Sequence, residues 1–451
     1  MLAYSFRRLL LCTAAACTSL LSALGQDAWP QFRGPGARGV STNLGLPDTW
    51  SAGTNIAWKT AVPGMGWSSP IIWGDQVIVT TAVSEGEVEA PRKGLYFGGE
   101  RPPTKAVHQW RVLAYALSNG KLGWQTVVRS GPPPGPRHLK NSHASETPVT
   151  DGEHVYAFFG NAGLYCLDMK GRLVWSESLG VHEMRYGWGT SSSPVLHGDR
   201  IYIVRDNQDQ SFMVALDKRT GKEVWRVERD EPSNFSTPFV WENGLRTELV
   251  TTGVNRTRSY DLEGRLLWEF GPGMSEIVIP TPFTDGGLLY VCAGYVGDKH
   301  RVLKPVYAIR PGAAGDIGLP DGETSNEFIA WRRENAAPYN PTPVLHDGRF
   351  YTLWDFGFLS CYDARTGAEI YDKQRIKTDG IAGFTASPWA YDGKIFCLSE
   401  DGDTYVIAAG DEYRLLHVNS LEEMCMATPA IAGKTLVIRG AQHLFGIRGK
   451  D

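Results

Sequence analysis

Between Ser192 and Trp225 short apolar runs alternate with polar turns, and the spacing predicts four short strands. Val195 and Leu196 lead into the turn His197-Gly198-Asp199, and Ile201 to Val204 return as a β-branched and aromatic run. After the polar stretch Arg205 to Ser211, Phe212 to Leu216 reads as a third strand, Thr220-Gly221 as a tight turn, and Glu223 to Arg226 as a fourth strand around Trp225. Such a meander has an apolar face that it cannot bury alone, so a chain that repeats it must stack the copies. Stacking around an axis gives a β-propeller. No long stretch beyond the N-terminus has helical spacing.

The copies begin near residues 68, 145, 192, 236, 281, 342, 387 and 428, and each opens on a Ser-Pro or Thr-Pro step. The fourth strand carries Trp124, Trp175, Trp225, Trp268 and Trp331 in the first five copies, Tyr371 in the sixth and Leu415-Leu416 in the seventh. The eighth stops after a third strand at His443 to Ile447. Asn55 to Val62 has the opposite defect, a fourth strand with its Trp58 and no copy to belong to. Pairing the two closes the ring and removes an open edge. The expected architecture is all-β: a single eight-bladed propeller of four-stranded antiparallel blades over residues 55–451, ring closed by the N-terminal strand, preceded by an extended Gly- and Pro-rich lead-in over 26–54. Insertions fall at Val83 to Ala106 in the first copy and at Gly297 to Lys304 and Gly312 to Glu327 in the fifth. Loop length costs little, so residues 86–105 are expected to be dispensable to the fold.

Residues 1–25 combine Arg7 and Arg8 with a short apolar, small-residue run and a cleavage-like Ala23-Leu24-Gly25, the pattern of a secretory signal. Export to the periplasm or the medium is expected, with no transmembrane segment in the mature chain. Cys17 follows three alanines where a lipobox would carry Leu, so no lipid anchor is expected. The net charge of −4 argues against nucleic acid. Beyond the signal, Cys166, Cys292, Cys361, Cys397 and Cys425 sit in apolar runs with no paired spacing, which reads as buried free thiols. The 51 glycines and 15 tryptophans suit turns and inter-sheet packing.

The Asp-Gly and Thr-Gly turns are short and alike, whereas length and chemical variety fall on the loops of the other face, so that face is the candidate for a ligand or partner. Arg137, His138, Lys140, Asn141, His143 and Glu146 arrive there on one segment. Arg185, Tyr186 and Trp188 follow, then Arg205, Asp206 and Asn207, then Asn234, Tyr339 and Asn340, and Glu400, Asp401 and Asp403. A solvated polar rim is the plain reading of such residues. His138 with His143 lacks a third metal ligand fixed by spacing, and neither Asp206 to Asp209 nor Glu400 to Asp403 has a full calcium-loop run. Glu146 with His143 could form an acid/base pair, but no nucleophile is evident. No catalytic residue and no metal site is assigned.

Ala215-x-Asp217-x-x-Thr220-Gly221-x-x-x-Trp225 resembles the tryptophan-docking repeat of the pyrroloquinoline-quinone-like propeller proteins, and the pattern returns along nearly the whole mature chain. The resemblance implies the propeller fold and a docking role for Trp58, Trp124, Trp175, Trp225, Trp268 and Trp331. It has two branches. The quinone-dependent alcohol dehydrogenases bind the quinone (PQQ) with calcium above adjacent cysteines, which this sequence lacks. The outer-membrane assembly lipoprotein is a cofactor-free binding scaffold. The expectation is therefore a monomeric, non-catalytic binding or scaffold protein without cofactor, with a PQQ-dependent oxidoreductase as the alternative.

Overall fold

The structure, a computed structural model, describes residues 28–285, 287–295, 297, 303–380 and 383–449. The expected signal, with Cys12 and Cys17, lies outside these residues, as do most of the Gly297 to Lys304 insertion and Gly286 of the fifth turn. Eight sheets follow one another around an axis, each built on four antiparallel strands in simple meander order, with a short fifth strand added to the first and to the fourth. In the third blade Val195–His197, Arg200–Arg205, Ser211–Asp217 and Glu223–Arg229 run from the axis outward. Turns such as Asp347-Gly348 and Asp392-Gly393 place both residues at positive φ, the geometry that matches the twist of a two-residue hairpin.

The last blade is completed as the sequence predicts. Ile56–Ala61 pairs antiparallel with His443–Ile447, in a register that sets Trp58 opposite Gly446, Lys59 opposite Phe445 and Ala61 opposite His443.

A one-residue bulge recurs in the outer strand of every blade, just before the aromatic position. Ala215 faces Trp225 while Leu216 faces Glu223, and the same skip precedes Trp58, Trp124, Trp175, Trp268, Trp331, Tyr371 and His417. The partner across the ladder is small beside each Trp and Tyr371, namely Gly446, Ala114, Cys166, Ala215, Ser259, Ala308 and Cys361, which leaves room for a large ring on that face. In five blades the indole then lies on the turn of the next blade. Nε1 donates from Trp58 to Leu117 O, Trp124 to Met169 O, Trp175 to Lys218 O, Trp225 to Leu262 O and Trp331 to Ala364 O, at 2.9–3.1 Å. A Cβ on Gly221 would come within 2.6 Å of the Trp175 ring, which is why that turn carries glycine. Trp268 departs from the series. Its Nε1 donates to the buried Glu248 of its own blade (2.7 Å), and the insertion after the fifth blade's third strand adds Gly315–Asp316 as a parallel fifth strand beside it.

The segment 28–54, expected to be a lead-in, is built into the ring. Ala28–Trp29 pairs with the innermost strand of the first blade, Pro30 O accepts from Thr150 of the second, and Gly39 and Ser41 bond Ala390 of the seventh. Trp29 and Trp50 are buried in the core. Arg33, wholly buried, donates to Ala37 O, Arg38 O, Thr342 O and Pro343 O. The segment therefore crosses the axis and floors the central channel.

The five cysteines beyond residue 27 are free and buried. Burial pushes the Cys166 and Cys361 thiols up to about 12.

Candidate functional site

The Ser-Pro and Thr-Pro steps that open the blades converge on the axis. Ser69 N donates to Thr147 Oγ1, Thr147 N to Ser193 Oγ, Ser193 N to Thr237 Oγ1, Thr281 N to Thr342 Oγ1, Thr342 N to Ser387 Oγ, and Ser387 N to Thr428 Oγ1, all at 2.9–3.0 Å. Each hydroxyl thus stitches one blade to the next. Proline follows because that position needs no further N–H.

Above this ring lies a cavity of about 1190 Å³, floored by Phe32 of the N-terminal segment and lined by all eight of the Ser and Thr residues that precede the prolines. His138, Lys140, Asn141, Arg185, Tyr186, Trp188, Tyr339 and Asn340, expected at the loop-rich face, reach its wall.

The first-blade insertion covers the mouth. Lys93 pairs with Asp401 of the seventh blade, and Gly94 N donates to Glu400 Oε2 (2.7 Å). Gly99 O accepts from Trp188 Nε1 (3.2 Å), and Arg101 N donates to Tyr186 O (3.1 Å). Leu95, Tyr96 and Phe97 line the cavity from above. Phe97 meets Tyr186 and Trp188 edge-on at 5.1 and 5.8 Å.

Two of the lining cations are paired. Lys140 Nζ lies 2.6 Å from Glu400 Oε1, whose carboxylate also accepts from Thr385 (2.7 Å). Arg185 meets Glu276 at 2.9 Å. Burial holds the Lys304 ammonium below its ordinary value while the carboxylate of Asp355 opposes that shift, and burial holds the Asp355 carboxyl above its own. Burial also pushes the His138 imidazole down to about 4. Tyr186 sits at φ 54, a conformation that costs a non-glycine residue, and the Arg185 guanidinium rests 5.2 Å from its ring.

The other expected residues serve the loops. Arg137 donates to the carbonyls of His138 and Asn141. His143 packs edge-on against His108 (5.3 Å), and burial, with Arg137 and His108 nearby, pushes its imidazole down to about 3. Glu146 is buried and accepts from Thr190, with no bond to His143, so the acid/base pair does not form. Arg205 is buried and donates to Asn161. Asp206 forms a buried two-pronged pair with Arg229 (2.7 and 3.0 Å) and accepts from Asn234. Asn207 Oδ1 accepts from the N–H groups of Asp209 and Gln210. Asp403 begins the strand Asp403–Ala408. In the two acidic loops the carboxylates of Asp206, Glu400 and Asp401 are spent on Arg229, Lys140 and Lys93.

A quinone tricarboxylate with calcium needs cations turned inward and carboxylates free for the metal. Of the three lining cations, Lys140 and Arg185 are already committed to carboxylates, and the carboxylates beside the cavity are engaged in turn, Glu400 by Lys140, Glu276 by Arg185 and Asp355 by the Tyr339 and Asn340 N–H groups. Among the described residues the one acid and histidine group of ligand spacing is Asp151, Glu153 and His154, at the first turn of the second blade, and none of the three lines the cavity. The residues present do not fit that cofactor.

A family model described as outer membrane protein assembly factor BamB matches residues 50–208 and 108–296, together more than half of the chain. The chain belongs to this family. The BamB of Yersinia pestis is 24% identical over 211 residues, which are 42% of this chain and 50% of that protein, so the match spans about half the length of the curated relative. The crystal structure of BamB from Moraxella catarrhalis superposes with a TM-score of 0.53 at 13% identity, covering 82% of this chain and 98% of that one. A quinohemoprotein alcohol dehydrogenase, ADHIIG of Pseudomonas putida HK5, gives 0.56 at 12% identity, covering 94% and 80%. These two structural likenesses establish the fold that BamB shares with the dehydrogenase. Among the described residues no helix is long and apolar enough to cross a membrane.

Proposed function

We propose that the chain is an exported, monomeric, non-catalytic propeller that binds a ligand or protein partner at its loop-rich face. The observation that carries this reading is the covered central cavity, where Lys140 and Arg185 are each held by a carboxylate of the protein itself. A catalytic acid, base or metal site needs groups left unspent for the substrate. Membership of a family described as an assembly factor supports the scaffold role. The test is capture from the exported fraction of the source cell with immobilised mature chain, with the lid variant lacking residues 86–105 as the comparison. A partner retained by the first and lost by the second supports the reading. The competing oxidoreductase reading predicts a rise in melting temperature with quinone and calcium, and dye reduction that needs added quinone would overturn ours.

A further inference from the structure

Three features of the central cavity together select a class of ligand. Its wall carries a contiguous aromatic surface. Trp188 packs with Tyr186 at 5.2 Å, Tyr295 with Tyr339 at 5.0 Å, and all four belong to one cluster with Phe235. The lid adds Phe97. Two of the three cations of the wall, Lys140 and Arg185, each hold a carboxylate, and the third, Lys304, is held below its ordinary value by burial with the Asp355 carboxylate opposing that shift. An anionic ligand would have to displace Glu400 or Glu276, and breaking such pairs leaves a charge uncompensated.

The third feature is the hydroxyl ring at the base. In each of the six stitched joints the Ser or Thr oxygen accepts a backbone N–H, and among the described residues its own O–H has no protein acceptor. These residues are more than nine-tenths buried and line the cavity. They present donors at the base, which a purely apolar ligand would leave unsatisfied.

A ligand that meets all three conditions has apolar C–H faces to lie on aromatic rings, uncharged oxygen acceptors around its edge, and no net charge. We propose that the cavity is a binding site for a neutral oligosaccharide. The volume of about 1190 Å³ exceeds the roughly 300–1,000 Å³ that takes a drug-sized molecule, so several sugar units are accommodated. The lid then closes over the chain, fastened by Lys93 and Gly94 to the seventh blade and by Gly99 to Trp188.

This assignment rests on the binding reading above, and the experiment separates the two. The mature chain is titrated with maltohexaose, cellohexaose and chitohexaose, and with hexagalacturonate as the charged counterpart, by calorimetry and tryptophan fluorescence. At least one neutral hexaose is expected to saturate the protein and to bind about tenfold or more tighter than hexagalacturonate. Trp188→Ala and Phe97→Ala are each expected to weaken that binding about tenfold, the scale of one lost stacking contact. Phe97 is 56% exposed, so its variant keeps the wild-type melting temperature and stays informative if Trp188→Ala misfolds. Absence of binding by all three neutral probes, equal affinity for the charged one, or unchanged affinity in Phe97→Ala would overturn the assignment. Capture of a protein partner with no sugar binding sinks the oligosaccharide and leaves the binding reading. Sugar binding accompanied by quinone-dependent dye reduction keeps the site and sinks the non-catalytic reading.

Discussion

If the ring is held shut by the pairing of Ile56–Ala61 with His443–Ile447, a covalent bond across that joint must stabilise the whole domain. Ala61 and His443 are register partners at the exposed end of the pair, so Cys at both positions meets the distance a disulfide requires without opening the core. The crosslink would enclose about 380 residues, for which the chain-entropy relation gives roughly 6 kcal/mol at 25 °C as a ceiling, against 2–4 kcal/mol typically realised. Unfolding entropy scales with length, so in a chain of this size 1 kcal/mol moves the midpoint by about 1 °C. The oxidised double variant should melt about 2–6 °C above its reduced form. The assay is calorimetry with and without reductant, after mass spectrometry has shown the crosslink. The native thiols are buried and do not compete. Failure of the two cysteines to join, or identical melting of oxidised and reduced protein, would refute closure at this joint.

Asp206→Ala leaves Arg229 buried without its carboxylate and should cost about 3–5 kcal/mol in denaturant titration, while Asp206→Ala with Arg229→Met should recover much of that; equal losses would refute the pairing. Replacing residues 86–105 with a short Gly-Ser link should lower the melting temperature and red-shift tryptophan emission, because Trp188 loses Phe97 and the Gly99 carbonyl. Unchanged emission would show that the insertion does not cover the mouth. His143 titrates in the folded chain at about 3, below its unfolded value near 6.5, so its contribution to stability is present above pH 6.5 and is lost as the pH falls towards 3. His143→Phe should therefore show a shallower fall in denaturation midpoint between pH 6.5 and 4 than the wild type, and parallel curves would sink the argument.

The blades were legible because strand alternation and turn residues are local signals, and the closing strand because Trp58 supplied what the eighth copy lacked. The segment 28–54 was not legible in the same way. Trp29, Arg33 and Trp50 hold it through contacts with blades more than 40 residues away, and its Gly- and Pro-rich composition has no period to read. The Ser-Pro and Thr-Pro steps were visible, but their purpose is a bond to the next blade, which exists only once the ring has formed. The candidate face was readable from loop length. Sorting its residues was not, since Glu146, Asp206 and Asn207 look as chemical as Lys140 yet are used to satisfy buried polar groups of their own loops. The lid residues Tyr96 and Phe97 were passed over although an insertion of that length was itself a signal.

The strand that finishes the ring also sets an order of events in time. Residues 56–61 leave the ribosome about 380 residues before their partner, a wait of roughly 20–80 s at ordinary synthesis rates. Through that interval the segment is an unpaired strand carrying an exposed tryptophan, able to pair with any edge it meets. The blades made meanwhile each offer such an edge. The protein therefore has a period of vulnerability written into its connectivity, which ends only when the last blade is complete and recovers a strand synthesised some 380 residues earlier.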